Sequence, residues 1–312
     1  MSDLARTATP PPGTGAAAAY DAEAITTKER TQLQLVLIRF LRHRVAVISL
    51  IGFLLIVAFA FLGPELWKYD HLIHREIPAD QPPSWGHPFG TTRAGHDYMG
   101  QIMRGTQQTL KVGFVVAIMS TVIGAVWGAI AGFYRGWLDS VMMRFVDVLF
   151  VIPQLVLVLV LAGMTRGTTW LHVALILGAF GWLQPARLVR SVVLSLREQE
   201  FIEAAKALGA SDARIIGRHL IPNTVGIIIV NFTLVIAVAV LVEAALSFLG
   251  FGIQLPDTSL GLLIQSAQDA VFTRPWLFYF PGVFIILICL TINFIGDGLG
   301  DALDPKRATV RR

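Results

Sequence analysis

The hydrophobic residues of this chain are gathered into long runs that are separated by polar connections. A helix needs about 20 predominantly apolar residues to cross the hydrocarbon core of a bilayer. Six runs are of about that length or longer, and we predict that each forms a transmembrane helix. They are roughly Val45–Leu62, Leu110–Phe133, Val141–Met164, Leu171–Val193, Val225–Phe248 and Leu277–Ile295. The predicted fold class is an all-α membrane protein with six transmembrane helices.

The residues before the first run contain two different kinds of sequence. Residues 1–30 are rich in alanine, proline, threonine and charge, without the apolar core of a cleavable signal peptide, and predict a disordered cytoplasmic tail. Residues 31–44 place apolar side chains on one helical face, which predicts an amphipathic helix at the membrane surface. The apolar residues of that helix are Leu33, Leu37, Phe40 and Leu41, and its arginines are Arg39, Arg42 and Arg44.

The distribution of lysine and arginine predicts which connections face the cytoplasm. Six of these residues lie before the first run, six lie within 187–222, and four follow Asp297. The connections 164–171 and 249–276 carry one each. Because basic residues are retained on the cytoplasmic side, both termini and the 187–222 connection are predicted to be cytoplasmic. The final residues, 301–312, then form a cytoplasmic tail.

The same topology predicts a long external loop and one main transmembrane domain. Residues 63–109 form the loop, and their five prolines predict an irregular cap over the outer face. Residues 110–300 form the domain. Its first run carries Gly124, Gly128 and Gly132 at four-residue spacing, which lets helix backbones approach closely in lipid. We predict that these glycines pack against another helix, in this subunit or in a partner.

Composition agrees with lipid as the solvent of the apolar runs. The chain is 54% hydrophobic and only 15% charged, against about 25% charged residues in an average soluble domain. In such a protein the net charge of +4 indicates orientation and contact with a lipid membrane, and no nucleic-acid partner is expected. The single cysteine, Cys289, excludes a disulfide within the chain and any multi-cysteine metal site.

No motif for nucleotide binding or catalysis occurs in the sequence. The phosphate-binding loop Gly-x-x-x-x-Gly-Lys-Ser/Thr is absent, as are the zinc-protease and serine-hydrolase motifs. Gly296, Gly298 and Gly300 are closely spaced, but they follow a membrane run and do not predict a nucleotide site. We therefore expect a protein that is not an enzyme and has no cofactor or metal of its own. Uphill transport would draw its energy from an ion gradient or from a partner.

Few polar residues lie inside the predicted spans, where such residues are usually functional. Glu243, near the external end of the fifth span, either bonds to a neighbouring helix or lines a transport pathway. Asn231 is the second candidate for that pathway. Asp147, near the cytoplasmic end of the third span, is expected to be structural and paired with Arg144 one turn earlier. Together these residues form no evident proton relay.

The most specific local pattern lies in residues 197–222, which we call the elbow. Residues 201–208 favour a helix with one apolar stripe that has small residues at its centre. Gly209 then suits the left-handed conformation that ends a helix. The stripe consists of Phe201, Ala204, Ala205 and Leu208.

A second short helix is predicted after this glycine. Ser211 is suited to its N-cap. Pro222 is expected to push Ile221 into an extended conformation and so to break the chain before the next span. The elbow is therefore a helix, a glycine turn and a helix, which either docks a partner at the membrane surface or packs on its own bundle.

The elbow resembles the EAA loop of permease subunits in binding-protein-dependent ABC importers. That pattern is Glu-Ala-Ala, three residues, Gly, nine residues, and then an apolar residue, any residue, Leu and Pro. Here the stretch Glu203–Ala205 is followed after three residues by Gly209, and after nine more by the stretch from His219 to Pro222. The resemblance extends over most of the chain and is closest to the second permease of dipeptide, oligopeptide and nickel importers.

This resemblance implies a type I ABC importer permease in the bacterial inner membrane. It implies four partners besides lipid: a second homologous permease, two ATPase subunits or domains that hold ATP and magnesium, and an external substrate-binding protein. The substrate would be a di- or oligopeptide, and the elbow would be the coupling helix seated on an ATPase. The coupling residues implied are Glu203, Ala204, Ala205, Leu208, Gly209 and Pro222, with Arg214, Arg218 and His219 orienting the loop.

Two other classes of protein remain as alternatives. The first is an ion-coupled secondary carrier, which the scarcity of deep paired charges disfavours. The second is a membrane scaffold that transports nothing, which the pattern of the elbow disfavours.

Overall fold

The computed structural model describes residues 32–72, 78–165 and 169–303. The predicted tail 1–30 and all but the first three residues of the tail 301–312 lie outside them. Where the chain is described it contains no β-strand, only an isolated bridge between Thr91 and Asp97. Its α-helices are α1 (Gln32–Arg42), α2 (Arg44–Phe61), α3 (Gly63–Leu66), α4 (Tyr98–Tyr134), α5 (Gly136–Val151), α6 (Gln154–Met164), α7 (Trp170–Gly181), α8 (Leu183–Leu196), α9 (Glu200–Ala207), α10 (Asp212–Ile215), α11 (Ile221–Phe248), α12 (Leu260–Ala267) and α13 (Trp276–Leu303).

Five helical segments of the described chain are long and apolar enough to cross a membrane, and a bent pair makes a sixth if its halves are taken together. The five are Arg44–Phe61, Tyr98–Tyr134, Trp170–Leu196, Asp212–Phe248 and Trp276–Leu303, and the pair is α5 and α6. Each overlaps one predicted run. The all-α membrane fold predicted from the sequence is confirmed.

The second span begins earlier than the sequence indicated. It starts at Tyr98 rather than Leu110, because the carboxylate of Asp97 accepts a hydrogen bond of 2.9 Å from a backbone amide of the first turn and caps the helix. The loop that was predicted to be external therefore ends at Asp97 rather than at residue 109. The hydrophobicity pattern did not indicate this extension, because the first turns of α4 contain polar residues. In the structure these side chains contact other parts of the protein; Arg104, for example, pairs with Asp257 at 2.8 Å.

The third predicted run, Val141–Met164, is broken. Its halves, α5 and α6, meet at an angle of 77°. Pro153 explains the break, because proline lacks a backbone N–H and disfavours the helical conformation in the preceding residue. Ile152 accordingly has φ −78° and ψ 123°. The prediction of one continuous helix is wrong here.

The glycine stripe of α4 packs against α8 within the same subunit. A Cβ atom on Gly128 would lie 2.3 Å from the carbonyl oxygen of Ala186, and one on Gly124 would lie 2.5 Å from Cβ of Pro185. At Gly132 the nearest atoms, on Arg190 and in Val193, would be at 3.0 Å. The predicted close approach of backbones is confirmed, and α8 carries this tight contact directly into the elbow.

The helix ends next to both tails lie at one end of the bundle, together with the elbow. His43, which caps α2, lies 3.8 Å from Asp301 near the end of α13. A Cβ on Gly226, in the first turns of α11, would lie 3.7 Å from Leu303. An even number of crossings requires this arrangement. The assignment of this end to the cytoplasm stays a prediction from the basic residues.

The amphipathic helix α1 lies against the same end. Phe40 is buried beside Ala46 and Ala302, whereas Leu37 and Leu41 are exposed. Of the residues that were predicted to share one apolar face, Phe40 therefore packs on the bundle, whereas Leu37 and Leu41 stay open to the surroundings.

The opposite end is closed by two segments. The outer cap, residues 63–97, packs on α13, where the rings of Phe89 and Phe280 stack with centroids 4.3 Å apart. The second segment, residues 249–276, is called the outer hairpin. It contains α12, which packs on both α11 and α13. The irregular cap expected from the prolines is present, since α3 is the only α-helix among its described residues.

Candidate functional site

The elbow has the helix, glycine turn and helix that the sequence predicts. α9 ends in a glycine turn in which Gly209 has φ +78°. Its amide donates to the carbonyl of Lys206 at 2.9 Å, and the amide of Ala210 donates to that of Ala205 at 3.0 Å. This pair of bonds satisfies carbonyls that the helix end leaves unpaired. Ser211 precedes α10 in an extended conformation, but its side chain makes no capping bond.

Pro222 does not break the chain, and that prediction is wrong. Ile221 is helical, with φ −57° and ψ −48°, and Pro222 lies in the first turn of α11. A missing N–H is tolerated at that position. The preceding turn, Ile216–Leu220, is π-helical, and the amide of Ile221 donates to the carbonyl of Ile216. This wider turn makes room for the proline ring, so the elbow passes into α11 without a hinge.

The inner side of the elbow is held by three apolar residues. Ile202, Ile215 and Leu220 are fully buried and pack in one cluster with Phe133 of α4 and Val189 of α8. None of these three residues was predicted from the sequence to pack on the bundle. The signal that could have found them is the alternation of isolated isoleucine and leucine with charged residues on either side of Gly209.

The outer side of the elbow is open. Leu208 is 89% exposed and Phe201 is 41% exposed. No atom of the described residues lies within 4 Å of the position that a Cβ on Gly209 would occupy. The other residues predicted to couple are exposed (Glu203, Ala204, Arg214, Arg218, Pro222) or half-buried (Ala205, His219). The predicted apolar stripe therefore points largely away from the bundle: Phe201, Ala204 and Leu208 are exposed, whereas Ala205 packs against the buried cluster.

Ion pairs tie the elbow and α5 to the ends of α4 and α8. Arg135, at the end of α4, contacts Glu198 at 2.8 Å, and Arg197 donates to the carbonyl oxygen of Phe133. Arg190 of α8 makes two bonds to Asp139 of α5, at 2.5 and 2.6 Å. These contacts make α4, α5, α8 and the elbow one connected block at this end of the bundle.

Asp147 is paired, but not with the predicted residue. Its carboxylate lies 2.5 Å from the guanidinium of Arg187 on α8, whereas Arg144 is exposed. Tertiary packing of α5 on α8 places Arg187 closer than the neighbour one turn away. The structural role expected for Asp147 stands with this corrected partner.

Glu243 is fully buried between helices. It accepts hydrogen bonds from Thr109 of α4 at 2.9 Å and from Ser247 of its own helix at 2.7 Å. Ser259 of the outer hairpin donates to Ser247 at 3.0 Å. Of the two roles left open for Glu243, this geometry favours the structural one, because all its contacts join α4, α11 and the hairpin.

Asn231 lines a cleft beside the break between α5 and α6. We call it the neutral cleft. It has a volume of about 480 Å³, and no charged residue occurs among the described residues that line it. Asn231 is 7% exposed, and its Oδ1 has no hydrogen-bond partner among the described residues. Its lining includes Phe150, Gln154, Gln184, Asn231, Leu234 and Val238. Sequence reasoning named only Asn231 of these.

The fold and the elbow define a multi-pass membrane protein with an exposed helix–turn–helix at one end. Residues 124–309 match the family model described as "Binding-protein-dependent transport system inner membrane component". Residues 31–83 match the "N-terminal TM domain of oligopeptide transport permease C". The chain therefore belongs to the family of binding-protein-dependent permeases of ABC importers, and it is a multi-pass protein of the bacterial inner membrane.

Relatives and a solved structure agree with this assignment. The oligopeptide transport system permease protein OppC of Mycobacterium tuberculosis is 42% identical over 289 residues, which are 92% of this chain and 99% of that protein. The dipeptide transport system permease protein DppC of Bacillus subtilis is 38% identical over 274 residues, which are 86% and 84%. A chain of the inward-facing MetNI methionine ABC transporter matches with TM-score 0.55 and 22% identity, over 64% of this chain and 94% of that one. It is similar in fold.

Proposed function

We propose that this chain forms half of the pathway of an ATP-driven peptide importer and is driven through its elbow by a cytoplasmic ATPase. The observation that carries the coupling role is the contrast between the two sides of the elbow. Its inner side is fixed by Ile202, Ile215 and Leu220, and its outer side leaves Leu208 89% exposed. A fixed base with an open apolar tip transmits movement of a bound partner to the bundle.

The assembly would contain further chains. A second permease completes the pathway, two ATPase subunits or domains supply ATP hydrolysis with magnesium, and an external binding protein delivers the substrate. Relatives named for oligopeptide and dipeptide transport support a peptide as that substrate. The absence of a phosphate-binding loop from the sequence agrees with hydrolysis by partners.

Leu208 provides a direct test of coupling. In the complete complex, reconstituted in proteoliposomes, Leu208→Asp should lower ATP-dependent uptake of labelled di- and oligopeptides by about tenfold or more, since a charge in a desolvated interface hot spot is strongly unfavourable. The ATPases should also co-purify less well with the permeases.

Leu66 offers a matched control, because it is 86% exposed at the opposite end of the bundle. Leu66→Asp should leave uptake and co-purification near wild type. Normal uptake by the Leu208→Asp complex would refute the coupling role. Peptide uptake by the wild-type complex that needs an ion gradient and survives without ATP would instead favour the ion-coupled carrier.

A further inference from the structure

The neutral cleft contains a buried polar group whose oxygen has no hydrogen-bond partner in the described part of the chain. Asn231 is 7% exposed and its Oδ1 is buried without a hydrogen bond among the described residues. Leaving a buried polar group unpaired costs about 1–3 kcal/mol, so such groups usually have a partner in the working protein. The atom lies in a cleft of about 480 Å³, within the range of about 300–1,000 Å³ that is typical of small-molecule sites. A ligand that supplies a hydrogen-bond donor would satisfy it.

The chemistry of the lining residues indicates which class of ligand the cleft can bind. Besides Asn231, the polar side chains of the cleft are Gln154 at the start of α6 and Gln184 on α8, both exposed. Each of the three carries a neutral amide, which offers donors and an acceptor together. A peptide group has the same pair, one N–H and one C=O. The apolar remainder, including Phe150, Leu234 and Val238, accepts side chains of varied shape without a formal charge to select among them.

The position of the cleft is suited to a site that a ligand occupies only during transport. It lies at the 77° break between α5 and α6, where Ile152, Pro153 and Gln154 depart from a continuous helix. On α8 it includes Pro185, which faces the glycine stripe of α4. The block that is connected to the elbow therefore forms one wall of the cleft. Because α11 continues from the elbow without a hinge, a movement of the elbow would reach both walls of the cleft.

From these observations we infer that the neutral cleft binds the main chain of a peptide during transit, with Asn231, Gln154 and Gln184 as its hydrogen-bonding groups. This inference rests on the proposed function. On this inference the chain has a specificity of its own. The cleft selects for peptide groups and does not discriminate between positively charged, negatively charged and neutral side chains. A lipid acyl chain or a helix of the second permease in the cleft would be the competing occupant.

Replacement of Asn231 in the complete reconstituted complex tests the inference. Asn231→Leu keeps the size of the side chain but removes its donors and acceptor, so the maximal uptake rate should fall about fivefold, as expected for the loss of one hydrogen bond. The half-saturating peptide concentration should stay unchanged, since the external binding protein captures the peptide. Asn231→Asp should change the ratio of uptake between the tripeptides Ala-Lys-Ala and Ala-Glu-Ala by about tenfold in favour of the cation.

Asn293 of α13 is a matched control. Its Oδ1 also lacks a hydrogen bond among the described residues, and it does not line the neutral cleft. Asn293→Leu and Asn293→Asp should leave both the maximal rate and the charge ratio at wild-type values. If Asn231 had a purely structural role, its replacement would lower the uptake rate but leave the uptake ratio of Ala-Lys-Ala to Ala-Glu-Ala unchanged. The ratio measured for Asn231→Asp therefore tests the inference even if the Asn231→Leu complex fails to assemble.

The outcomes distinguish the inference about the cleft from the proposed function of the chain. Peptide uptake by the wild type, with an unchanged charge ratio in Asn231→Asp, would overturn the inference and leave the proposed function intact. That result is also the one expected if lipid or the second permease fills the cleft. Absence of ATP-dependent peptide uptake by the wild type would overturn both.

Discussion

The elbow and the outer hairpin are two connections of similar length at opposite ends of the bundle, and they differ in how far the bundle fixes their middle residues. The tip of the elbow, Leu208–Gly209, is exposed, and no atom of the described residues lies within 4 Å of the Cβ position of Gly209. In the hairpin Leu255 is 83% exposed, but the residues that follow it are bound inward, where Asp257 pairs with Arg104 and Ser259 is fully buried. A connection that its own chain fixes shapes the bundle, whereas an open tip on a fixed base is available to a partner.

Both connections make ion pairs and pack apolar residues into the bundle, and the hairpin adds a buried network of hydrogen bonds. The hairpin is joined to α4 and α11 by hydrogen bonds through Thr109, Glu243, Ser247 and Ser259. The elbow is joined to the bundle by apolar packing of Ile202, Ile215 and Leu220 and by ion pairs at its base. Substitutions in the hairpin should therefore act on stability, and substitutions at the elbow tip should act mainly on transport.

The largest effect is expected from Gly261→Val in the outer hairpin. A Cβ there would lie 2.5 Å from the carbonyl oxygen of Ala244 and 2.6 Å from its Cα, and backbone atoms cannot move aside cheaply. We expect a loss of up to about 3 kcal/mol of stability, measured as a clear fall in the thermal unfolding temperature of the purified complex. Gly282→Val is the control, because nothing lies within 4 Å of its Cβ position. Equal unfolding temperatures for the two variants would contradict the role given to the hairpin.

A smaller effect, of a different kind, is expected from Gly209→Val at the elbow tip. The residue has φ +78°, where a non-glycine residue costs about 1–2 kcal/mol, and no neighbour would clash with it. The turn should distort, so ATP-dependent uptake should fall about tenfold while membrane insertion stays close to wild type, and the unfolding temperature should fall less than for Gly261→Val.

Gly217→Val is the control for Gly209→Val. Gly217 lies in the same elbow, its Cβ position is also free of neighbours, and it is not among the residues with positive φ. Uptake by Gly217→Val should stay close to wild type. An unfolding temperature that falls for Gly209→Val as far as for Gly261→Val would remove the distinction between the two regions.

The same contrast explains what the sequence could predict. The elbow was predictable because its signals are local: a stripe at helical spacing, then Gly209 as the residue that ends the helix. The error at Pro222 arose because the π-helical turn before it depends on how Leu220 and Ile215 pack into the bundle. Hydrophobic runs likewise predicted the spans, but not the start of α4, whose polar residues find partners far away in sequence.

The hairpin could not be predicted because its contacts are not local. Arg104 and Asp257, or Thr109 and Glu243, are brought together only by the packing of α4 against α11 and the hairpin. In the sequence, Glu243 could equally line a pathway or bond to a neighbour. The neutral cleft was missed for the same reason, since Gln154 and Gln184 lie on separate helices. The one local signal for it was Pro153 inside an apolar run.

The most direct test of the central claim, that the elbow tip contacts an ATPase, is chemical crosslinking in the intact complex. Ala204→Cys places a thiol on the exposed side of the elbow, and Ser266→Cys places one on the exposed outer hairpin. The chain's single native cysteine, Cys289, is buried and does not compete. With a short bifunctional thiol reagent, Ala204→Cys should crosslink to an ATPase subunit and Ser266→Cys should not. A complex that contains the ATPases, yet gives no crosslink from Ala204→Cys or gives one from Ser266→Cys, would contradict the claim.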